Sequence, residues 1–278
     1  MRMRVLAAVL LLLSAPAGAS AFDVFVNPNH TCSPATIGGK PEHATLQLAE
    51  NAALPGDAIG VCPGAYHEVV IIPKETSFTA IGHVIIAPIG GGVCFDITGD
   101  GVRVRGFEIR ACDIAIRIVA SDALIANNKI HHNGTGLEIT GTDTVVQNNL
   151  VTNNGDGVVV TGISDGTDIK NNTLRHNASK GIVLAGANGV TVNKNSVQYS
   201  YDVGIDVSES SDCTVSFNSV AFNGTGIRVR NSTRCLITRN VVTRSKGKDC
   251  DWDGAGSIVF AGNVCRNETP IGPVGAWD

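Results

Sequence analysis

Charged side chains recur at one position of a short repeated pattern, Gly-apolar-x-apolar, where they could act on a substrate. The residues at position x are, in chain order, Asp96, Arg117, Glu138, Val159, Val183, Asp206 and Arg228. A carboxylate beside an arginine offers a general base and a cation that could neutralise negative charge on a substrate. Asp202 lies close to Asp206 in the chain and could supply a second carboxylate for acid–base chemistry. The candidate catalytic residues are therefore Asp96, Arg117, Glu138, Asp202, Asp206 and Arg228.

Ordinary strand pairing explains the same charges without catalysis. Opposite charges on neighbouring strands stabilise a sheet by about 0.2–1 kcal/mol per pair, and exposed ion pairs are common and weak. Val159 and Val183 interrupt the row, which argues against one continuous polar groove. Both interpretations stay open at this point, and the structural one is favoured.

Two histidines are further candidates for chemistry. His132 and His176 share one repeat position with Asn153, Tyr199 and Phe222, which favours a stack of side chains. A metal-binding or proton-transfer role is the alternative, because imidazole titrates near neutral pH. The sequence contains no Cys-x-x-Cys pair and no tandem GGxGxD calcium repeat. We therefore expect no metal and no cofactor, and Ca²⁺ has no motif to support it.

A repeat of about 22 residues must position these side chains. The phrase Asn-x-apolar begins at Asn128, Asn149, Asn172, Asn195, Asn218 and Asn240. Each repeat also holds the Gly-apolar-x-apolar phrase and a third apolar segment before the Asn, which indicates three short strands. A repeat of this length leaves no room for a crossover helix, which excludes βαβ units. It is also about half the length of a propeller blade, which excludes a β-propeller. The sequence predicts an all-β fold, a single-stranded parallel β-helix of about nine coils with three short strands per coil.

The six repeated asparagines are predicted to form an internal column. Stacked Asn side chains can hydrogen-bond to one another and to buried backbone groups; a glycan- or metal-binding row is the alternative. Seven Asn-x-Ser/Thr triplets also occur, beginning at Asn29, Asn133, Asn171, Asn177, Asn223, Asn231 and Asn267. Asn133, Asn177 and Asn223 share one turn, so a glycosylating host would modify these three together.

The eight cysteines are predicted to form four disulfides, because an even number of cysteines is typical of an exported chain. Cys213 and Cys235 each lie five residues before a repeated Asn, so they occupy the same position in consecutive coils, one strand spacing apart. The other pairs follow from separations near one coil or from proximity in the sequence. They are Cys94–Cys112, Cys32–Cys62 and Cys250–Cys265.

The two ends differ from the repeat. Residues 1–21 are typical of a signal peptide, with a basic start, a short apolar core and a small-residue cleavage site. Residues 43–54 place Leu46, Ala49 and Ala53 on one helical face and predict a capping helix. The expected organisation is signal peptide 1–21, N-terminal segment and capping helix 22–57, parallel β-helix 58–245, and C-terminal coil or cap with a disulfide loop 246–278. These features predict a secreted or periplasmic protein with no membrane contact after cleavage.

The run LPGDAIGVCPGAYHE at residues 54–68 resembles the opening of right-handed parallel β-helix proteins of the pectin-lyase-like superfamily. In that superfamily a short helix, PGD, a strand and PGxYxE precede the first full coils. With the Asn and Gly repeats, which are similar to NosD-type (PbH1) repeats, the resemblance covers about residues 43–265. The resemblance implies a right-handed coil and contact with polysaccharide. The superfamily includes lyases, glycoside hydrolases, uronan epimerases and noncatalytic adhesins, so the fold alone does not decide among these functions.

Two functions remain open on this resemblance. Residues 201–206, YDVGID, lie where the epimerases carry DPHD but lack its Pro-His-Asp part, and the NTD and GHG signatures of polygalacturonases are absent. The turns before the Gly strand are short, whereas long loops usually wall the catalytic clefts of this fold. We therefore favour a noncatalytic binding or structural role over a uronan lyase, C5-epimerase or glycoside hydrolase. The net charge of −4 predicts no nucleic-acid partner.

Overall fold

The computed structural model describes residues 22–253 and 256–266. Within them, three parallel sheets form the sides of a β-solenoid of about nine turns, and the chain passes from sheet A to sheet B to sheet C in each coil. The predicted signal peptide, residues 1–21, lies outside the described residues, as do residues 267–278. No helix in the described part of the chain is long and apolar enough to cross a membrane.

The strands are short and follow the repeat. In spatial order, sheet A contains Glu42–His43, Val24–Val26, Ala58–Val61, Ser77–Ala80, Arg103–Arg105, Leu124–Ala126, Val145–Gln147, Asp168–Lys170, Thr191–Asn193, Thr214–Ser216, Leu236–Thr238 and Val259–Ala261. Sheet B contains Gly64–Tyr66, Val84–Ile86, Glu108–Ile109, Lys129–His131, Leu150–Thr152, Thr173–Arg175, Ser196–Gln198, Ser219–Ala221, Val241–Thr243 and Val264–Cys265. Sheet C contains Val70–Ile72, Val93–Ile97, Ile114–Ile118, Thr135–Ile139, Asp156–Ile163, Ile182–Asn188, Val203–Ser208, Thr225–Arg230 and Cys250–Trp252.

Apolar side chains fill the space that the three sheets enclose. The central residue of most three-residue strands is fully buried, as in Thr191–Asn193, where only Val192 points inward. Phe78, Phe95 and Phe107 pack against one another in the early coils, with ring centroids 6.1 Å and 5.4 Å apart. Each strand pairs with the strand one repeat later, so residues one coil apart lie side by side.

The repeated asparagines form a column at the turn between sheets A and B. The Asn172 side-chain oxygen accepts hydrogen bonds from the backbone N–H of Asn149 at 2.9 Å and from its amide at 3.0 Å. The Asn172 amide in turn donates to the Val146 carbonyl and to Asn195. The same pattern continues to Asn263, one coil beyond the last repeated Asn of the sequence pattern. The column satisfies backbone groups that would otherwise be buried without a partner.

A second asparagine column lies at the turn between sheets B and C, where the sequence suggested glycosylation. Asn133, Asn177 and Asn223 are buried, and their side-chain oxygens accept hydrogen bonds from buried backbone N–H groups of the preceding coil. Asn154 continues this column between the first two. Because their amides are buried in the solenoid, the prediction that a glycosylating host would modify these three together at one turn is wrong.

The N-terminal end is closed by the short helix α2 (Leu46–Ala52), whereas α1 (Pro34–Ile37) packs Ile37 into a separate small cluster with Phe25, Cys32 and Cys62. Helix α2 buries Leu46 and Ala49, with Ala53 just beyond its end, against the first strands, as the amphipathic pattern predicts. Within residues 22–57, Val24–Val26 already pairs with Ala58–Val61, so sheet A begins before residue 58. The coil also continues past residue 245, because strands at 250–252, 259–261 and 264–265 extend all three sheets.

Four disulfides tie neighbouring segments together. They are Cys32–Cys62, Cys94–Cys112, Cys213–Cys235 and Cys250–Cys265, the four pairs that the sequence positions predict. Cys213 and Cys235 lie directly before consecutive strands of sheet A, with Cα atoms 4.5 Å apart. No cysteine of the chain is left free.

Candidate functional site

The predicted charged row lies on the outer face of sheet C. Strand register places Asp96, Arg117 and Glu138 side by side in consecutive coils, and Asp206 beside Arg228. Val159 and Val183 lie between the two charged groups. The row is therefore divided into an early and a late charged cluster.

The early cluster is built on one ion pair. Arg117 donates two hydrogen bonds to Asp96, from Nε at 2.9 Å and from Nη2 at 2.6 Å. These hydrogen bonds and the Asp96 charge raise the pKa of Arg117 above its ordinary value. Glu138 lies on the next strand and adds only its charge. The cluster thus presents a carboxylate already paired with a fixed cation.

The late cluster is centred on Asp206, whose side chain is only 3% exposed. Arg228 donates to it from Nε at 2.9 Å and from Nη2 at 2.8 Å, and the Lys180 ammonium lies 2.6 Å away. Burial raises the pKa of Asp206, but the hydrogen bonds from Arg228 and Lys180 outweigh it and leave the pKa below its usual range. Asp202 lies 3.7 Å from Arg228 and is nearly half exposed.

A further carboxylate in the last described coil is paired in the same way. Asp251 contacts Arg230 Nη2, and its other oxygen lies 2.8 Å from the Lys248 ammonium. Burial raises the pKa of Asp251, but these two cations outweigh it and lower the pKa. A general acid needs a raised pKa, near the working pH. Asp206 and Asp251 have the opposite environment and are suited to holding cations in place.

Side chains stack along the turn between sheets B and C. The rings of His176 and Tyr199 lie 4.8 Å apart and those of Tyr199 and Phe222 lie 5.0 Å apart, both nearly parallel. The Arg244 guanidinium covers the Phe222 ring at 5.2 Å. This agrees with the stacking predicted for His176. All four residues have positive φ, a turn conformation that repeats in each coil.

Tyr201 was missed by the sequence analysis and is the most exposed aromatic ring beside the late cluster, at 75%. The Lys246 ammonium lies 5.7 Å from its ring centroid. Backbone hydrogen bonds place Tyr201, Gly224 and Lys246 in consecutive layers, and Gly224 has no side chain to separate the other two. The spacings of 23 residues from Tyr201 to Gly224 and 22 residues from Gly224 to Lys246 match the repeat and could have predicted this alignment from the sequence. We call Lys180, Tyr201, Asp202, Asp206, Arg228 and Lys246 the Tyr201 patch.

The other predicted histidine, His132, belongs to a separate group on sheet B. Its Nδ1 atom lies 2.7 Å from Nδ1 of His131, whose Nε2 lies 3.0 Å from Glu108. His83 and Lys129 also contact Glu108, each at 3.1 Å. Burial raises the pKa of Glu108, but these three partners outweigh it and lower the pKa to about 2.

Two shallow depressions lie away from the charged row. One of about 520 Å³ lies against sheet A, where Arg239 covers the ring of Phe217 at 5.4 Å. The other, of about 400 Å³, lies at the N-terminal end beside Cys32 and Ile37. Within residues 22–253 and 256–266, no three His, Cys, Asp or Glu side chains are arranged to hold a metal ion.

The coil, its three sheets and its repeats are features of a known protein family. The family described as "Right handed beta helix region" matches residues 74–173 and 114–265, and the chain belongs to it. The solenoid is thus a right-handed parallel β-helix of the pectin-lyase-like superfamily. No curated protein matches the chain in sequence.

Solved structures share the fold at low sequence identity. The chain is similar to the pectate lyase Pel9A, with a TM-score of 0.61 and 16% identity over 89% of this chain and 80% of that one. It is similar to XylC in complex with xylose, with a TM-score of 0.70 and 13% identity over 87% and 69% of the two chains. An alginate lyase from Paenibacillus sp. str. FPU-7 has a TM-score of 0.55 and 15% identity over 79% and 96%.

Proposed function

We propose that this chain binds an anionic polysaccharide along the Tyr201 patch and does not cleave it. The observation that carries the proposal is the exposed Tyr201 ring with the Lys246 ammonium beside it. An exposed aromatic face packs against the C–H face of a sugar ring, and a nearby cation pairs with a carboxylate on that sugar. The patch holds three cations against two carboxylates, so its net charge favours an anionic ligand.

The distribution of charge along the chain supports polyanion binding at the end of the solenoid that carries the Tyr201 patch. Residues 22–167 contain seven Lys and Arg against fifteen Asp and Glu, whereas residues 168–266 contain twelve against eight. The net charge of the whole chain hides this difference. A polyanion is therefore attracted to the later coils, which carry the Tyr201 patch, and repelled by the earlier ones.

The state of the carboxylates supports binding without cleavage. Asp206 is buried, paired with two cations and has a lowered pKa, so it neither donates a proton near neutral pH nor exchanges partners easily. The turns that border the patch are short, as between Ser200 and Val203. Structures similar to this chain include a pectate lyase, an alginate lyase and a mannuronan C-5 epimerase of Azotobacter vinelandii, and we propose only their class of ligand, an anionic polysaccharide, for this chain.

The test is binding to a panel of polyuronates and neutral xylan by calorimetry. We expect binding to the polyuronates, weak binding to xylan, and at least a tenfold loss of affinity when salt rises from about 50 to about 500 mM. Tyr201→Ala and Lys246→Gln should each weaken polyuronate binding by about tenfold or more.

Phe217 and Arg239 provide the matched control, because they form the same aromatic–cation contact on another turn. Phe217→Ala and Arg239→Gln should leave polyuronate binding unchanged. The proposal fails if the wild-type chain binds no polyuronate, or if the control variants weaken binding as much as the Tyr201 patch variants.

The alternative is a polysaccharide-acting enzyme, such as a uronan lyase, C5-epimerase or glycoside hydrolase. One observation favours it: Asp202 is nearly half exposed and lies 3.7 Å from Arg228, a carboxylate beside a cation that could hold a uronate. A lyase would release unsaturated products with ultraviolet absorbance from the same panel. Loss of that signal in Asp202→Asn, with binding retained, would replace the noncatalytic proposal.

We also infer that the chain works outside the cytoplasm, in the periplasm or the extracellular space. All eight cysteines are paired in disulfides, and disulfides persist mainly in oxidising compartments. Fractionation of the native host, with mass mapping of the mature N-terminus, tests this inference together with the predicted cleavage after residue 21.

A further inference from the structure

The Glu108 group on sheet B lies several coils before the Tyr201 patch and has no part in the proposed polysaccharide contact. Glu108 and His131 project from neighbouring strands of sheet B, and His132 begins the turn that follows. The His131 side chain is only 11% exposed, whereas His132 is exposed. One imidazole is therefore held inside the group and the other faces solvent.

Glu108 fixes which nitrogen of His131 carries the proton. An ionised carboxylate only accepts hydrogen bonds, so His131 Nε2, 3.0 Å from Glu108 Oε1, must be the donor. In the neutral imidazole, Nδ1 of His131 then carries the free lone pair. A carboxylate that orients a histidine in this way is the usual outer partner of a metal-binding imidazole.

The lone pair of His131 faces the same atom type on its neighbour. The Nδ1 atoms of His131 and His132 lie 2.7 Å apart, and their rings are nearly perpendicular at 81°. Two lone pairs at this distance repel each other, so a proton or a metal cation must lie between them. With zinc–nitrogen bonds of about 2.0–2.1 Å, a bound ion would separate the two nitrogens by roughly 2.9–3.3 Å.

We propose that His131 and His132 chelate one divalent transition-metal ion through their Nδ1 atoms, with Glu108 orienting His131 from the opposite side of its ring. The two nitrogens need to move apart by only a few tenths of an ångström, which the exposed His132 ring allows. Imidazole prefers copper, nickel and zinc over calcium and magnesium. Two protein ligands leave the remaining positions to water or to a ligand atom from another molecule, so the ion is exchangeable.

Cu²⁺ is the sharpest probe, because it binds nitrogen ligands most tightly among the divalent first-row ions. A tag-free, metal-stripped chain should bind one Cu²⁺, and electron paramagnetic resonance should show coupling to two imidazole nitrogens. His132→Asn should weaken Cu²⁺ binding at least tenfold. Asn suits the positive φ of this turn and already occupies the next layer as Asn153. Glu108→Gln should weaken it by about 10- to 100-fold.

His176→Asn is the matched control, because His176 occupies the same turn position but stacks on Tyr199. It should leave Cu²⁺ affinity unchanged, and thermal melting with a chelator present should show that all variants fold. Absence of 1:1 binding in the wild-type chain overturns the proposal and leaves a simple hydrogen bond between the two imidazoles. Unchanged affinity in His132→Asn overturns it as well, because the copper would then lie elsewhere.

Discussion

Asp206 and Asp212 make the same two-hydrogen-bond contact with an arginine, but Asp206 is more buried and also contacts a second cation, Lys180. Arg228 donates to Asp206 at 2.9 Å and 2.8 Å, and Arg234 donates to Asp212 at 2.7 Å and 2.6 Å. The Asp206 side chain is 3% exposed, whereas that of Asp212 is 44% exposed. Water screens the exposed Asp212–Arg234 pair more than the buried Asp206–Arg228 pair. The same hydrogen-bond geometry therefore stabilises the fold by different amounts.

Asp206→Asn should lower the free energy of unfolding by about 3 kcal/mol at neutral pH, because a neutral amide leaves the cations of Lys180 and Arg228 poorly compensated. Urea denaturation measures the loss. Asp212→Asn, the exposed counterpart, should cause no measurable change. An equal loss in both variants would show that burial does not distinguish the two pairs.

The stabilisation of the fold by Asp206 should depend on pH, and the direction of that dependence follows from the lowered pKa of its carboxyl group. The folded-state pKa of Asp206 is lowered, so its ionised form stabilises the fold fully above the unfolded pKa of about 3.9. This stabilisation is lost as the pH falls from about 4 towards the lowered folded-state value. The difference in melting temperature between wild type and Asp206→Asn should thus be constant above about pH 5 and shrink below about pH 4.

Helix α2 is held at both ends by charges from the first coil. At its start, the two Glu68 carboxylate oxygens accept from the backbone N–H groups of Leu46 and Gln47. At its end, the Lys74 ammonium donates to the carbonyls of Glu50 at 2.6 Å, Asn51 at 3.2 Å and Ala53 at 2.7 Å. Both charges have the sign that the helix dipole favours, so a seven-residue helix that would not form alone is stable as a cap.

Lys74→Met keeps the length of the side chain and removes its three hydrogen bonds. We expect backbone amides 46–53 to exchange with solvent about tenfold faster or more, while amides of the central coils keep their protection. Hydrogen exchange followed by mass spectrometry resolves the two regions. Lys40→Met is the control, since the Lys40 ammonium lies 3.7 Å from Asp23 on the surface and away from the end of α2. Uniform faster exchange throughout the chain would contradict a local capping role.

The whole molecule is a stack in which each coil contacts mainly its two neighbours, so a cross-link between adjacent coils acts on the local stack. Cys213–Cys235 closes a loop of one coil late in the solenoid. Cys250–Cys265 ties the last described strand of sheet C to the last described strand of sheet B, which belongs to the following coil. Loss of either opens the stack near the end that lacks a helical cap in the described residues.

The double variant Cys213→Ala and Cys235→Ala should be less stable by about 3 kcal/mol, the loop-closure value for a loop of this length. Guanidinium denaturation under non-reducing conditions measures the difference. Proteolysis of the variant should begin in the late coils. Cleavage that begins in the early coils would contradict a local effect of this cross-link.

Most of the fold was predictable because in-register stacking turns sequence spacing directly into spatial position. Asn128 and Asn149 are 21 residues apart and therefore lie in adjacent layers. The same rule predicted the neighbours Asp206 and Arg228 and the stack of His176 on Tyr199. The interior asparagines 133, 177 and 223 were misjudged, because Asn-x-Ser/Thr describes a chemical triplet and not the side on which its amide lies.

The sequence by itself determined the number of strands per coil, the layer of each residue and the pairing of Cys213 with Cys235, because a parallel stack allows little choice of register. Only the tertiary structure decided contacts between different repeat positions and contacts that reach across more than one layer. Lys180 reaches Asp206, Lys246 reaches across Gly224 to Tyr201, and His131 bridges Glu108 and His132. These contacts depend on side-chain reach, rotamer and burial across the turns, which spacing along a single repeat does not encode.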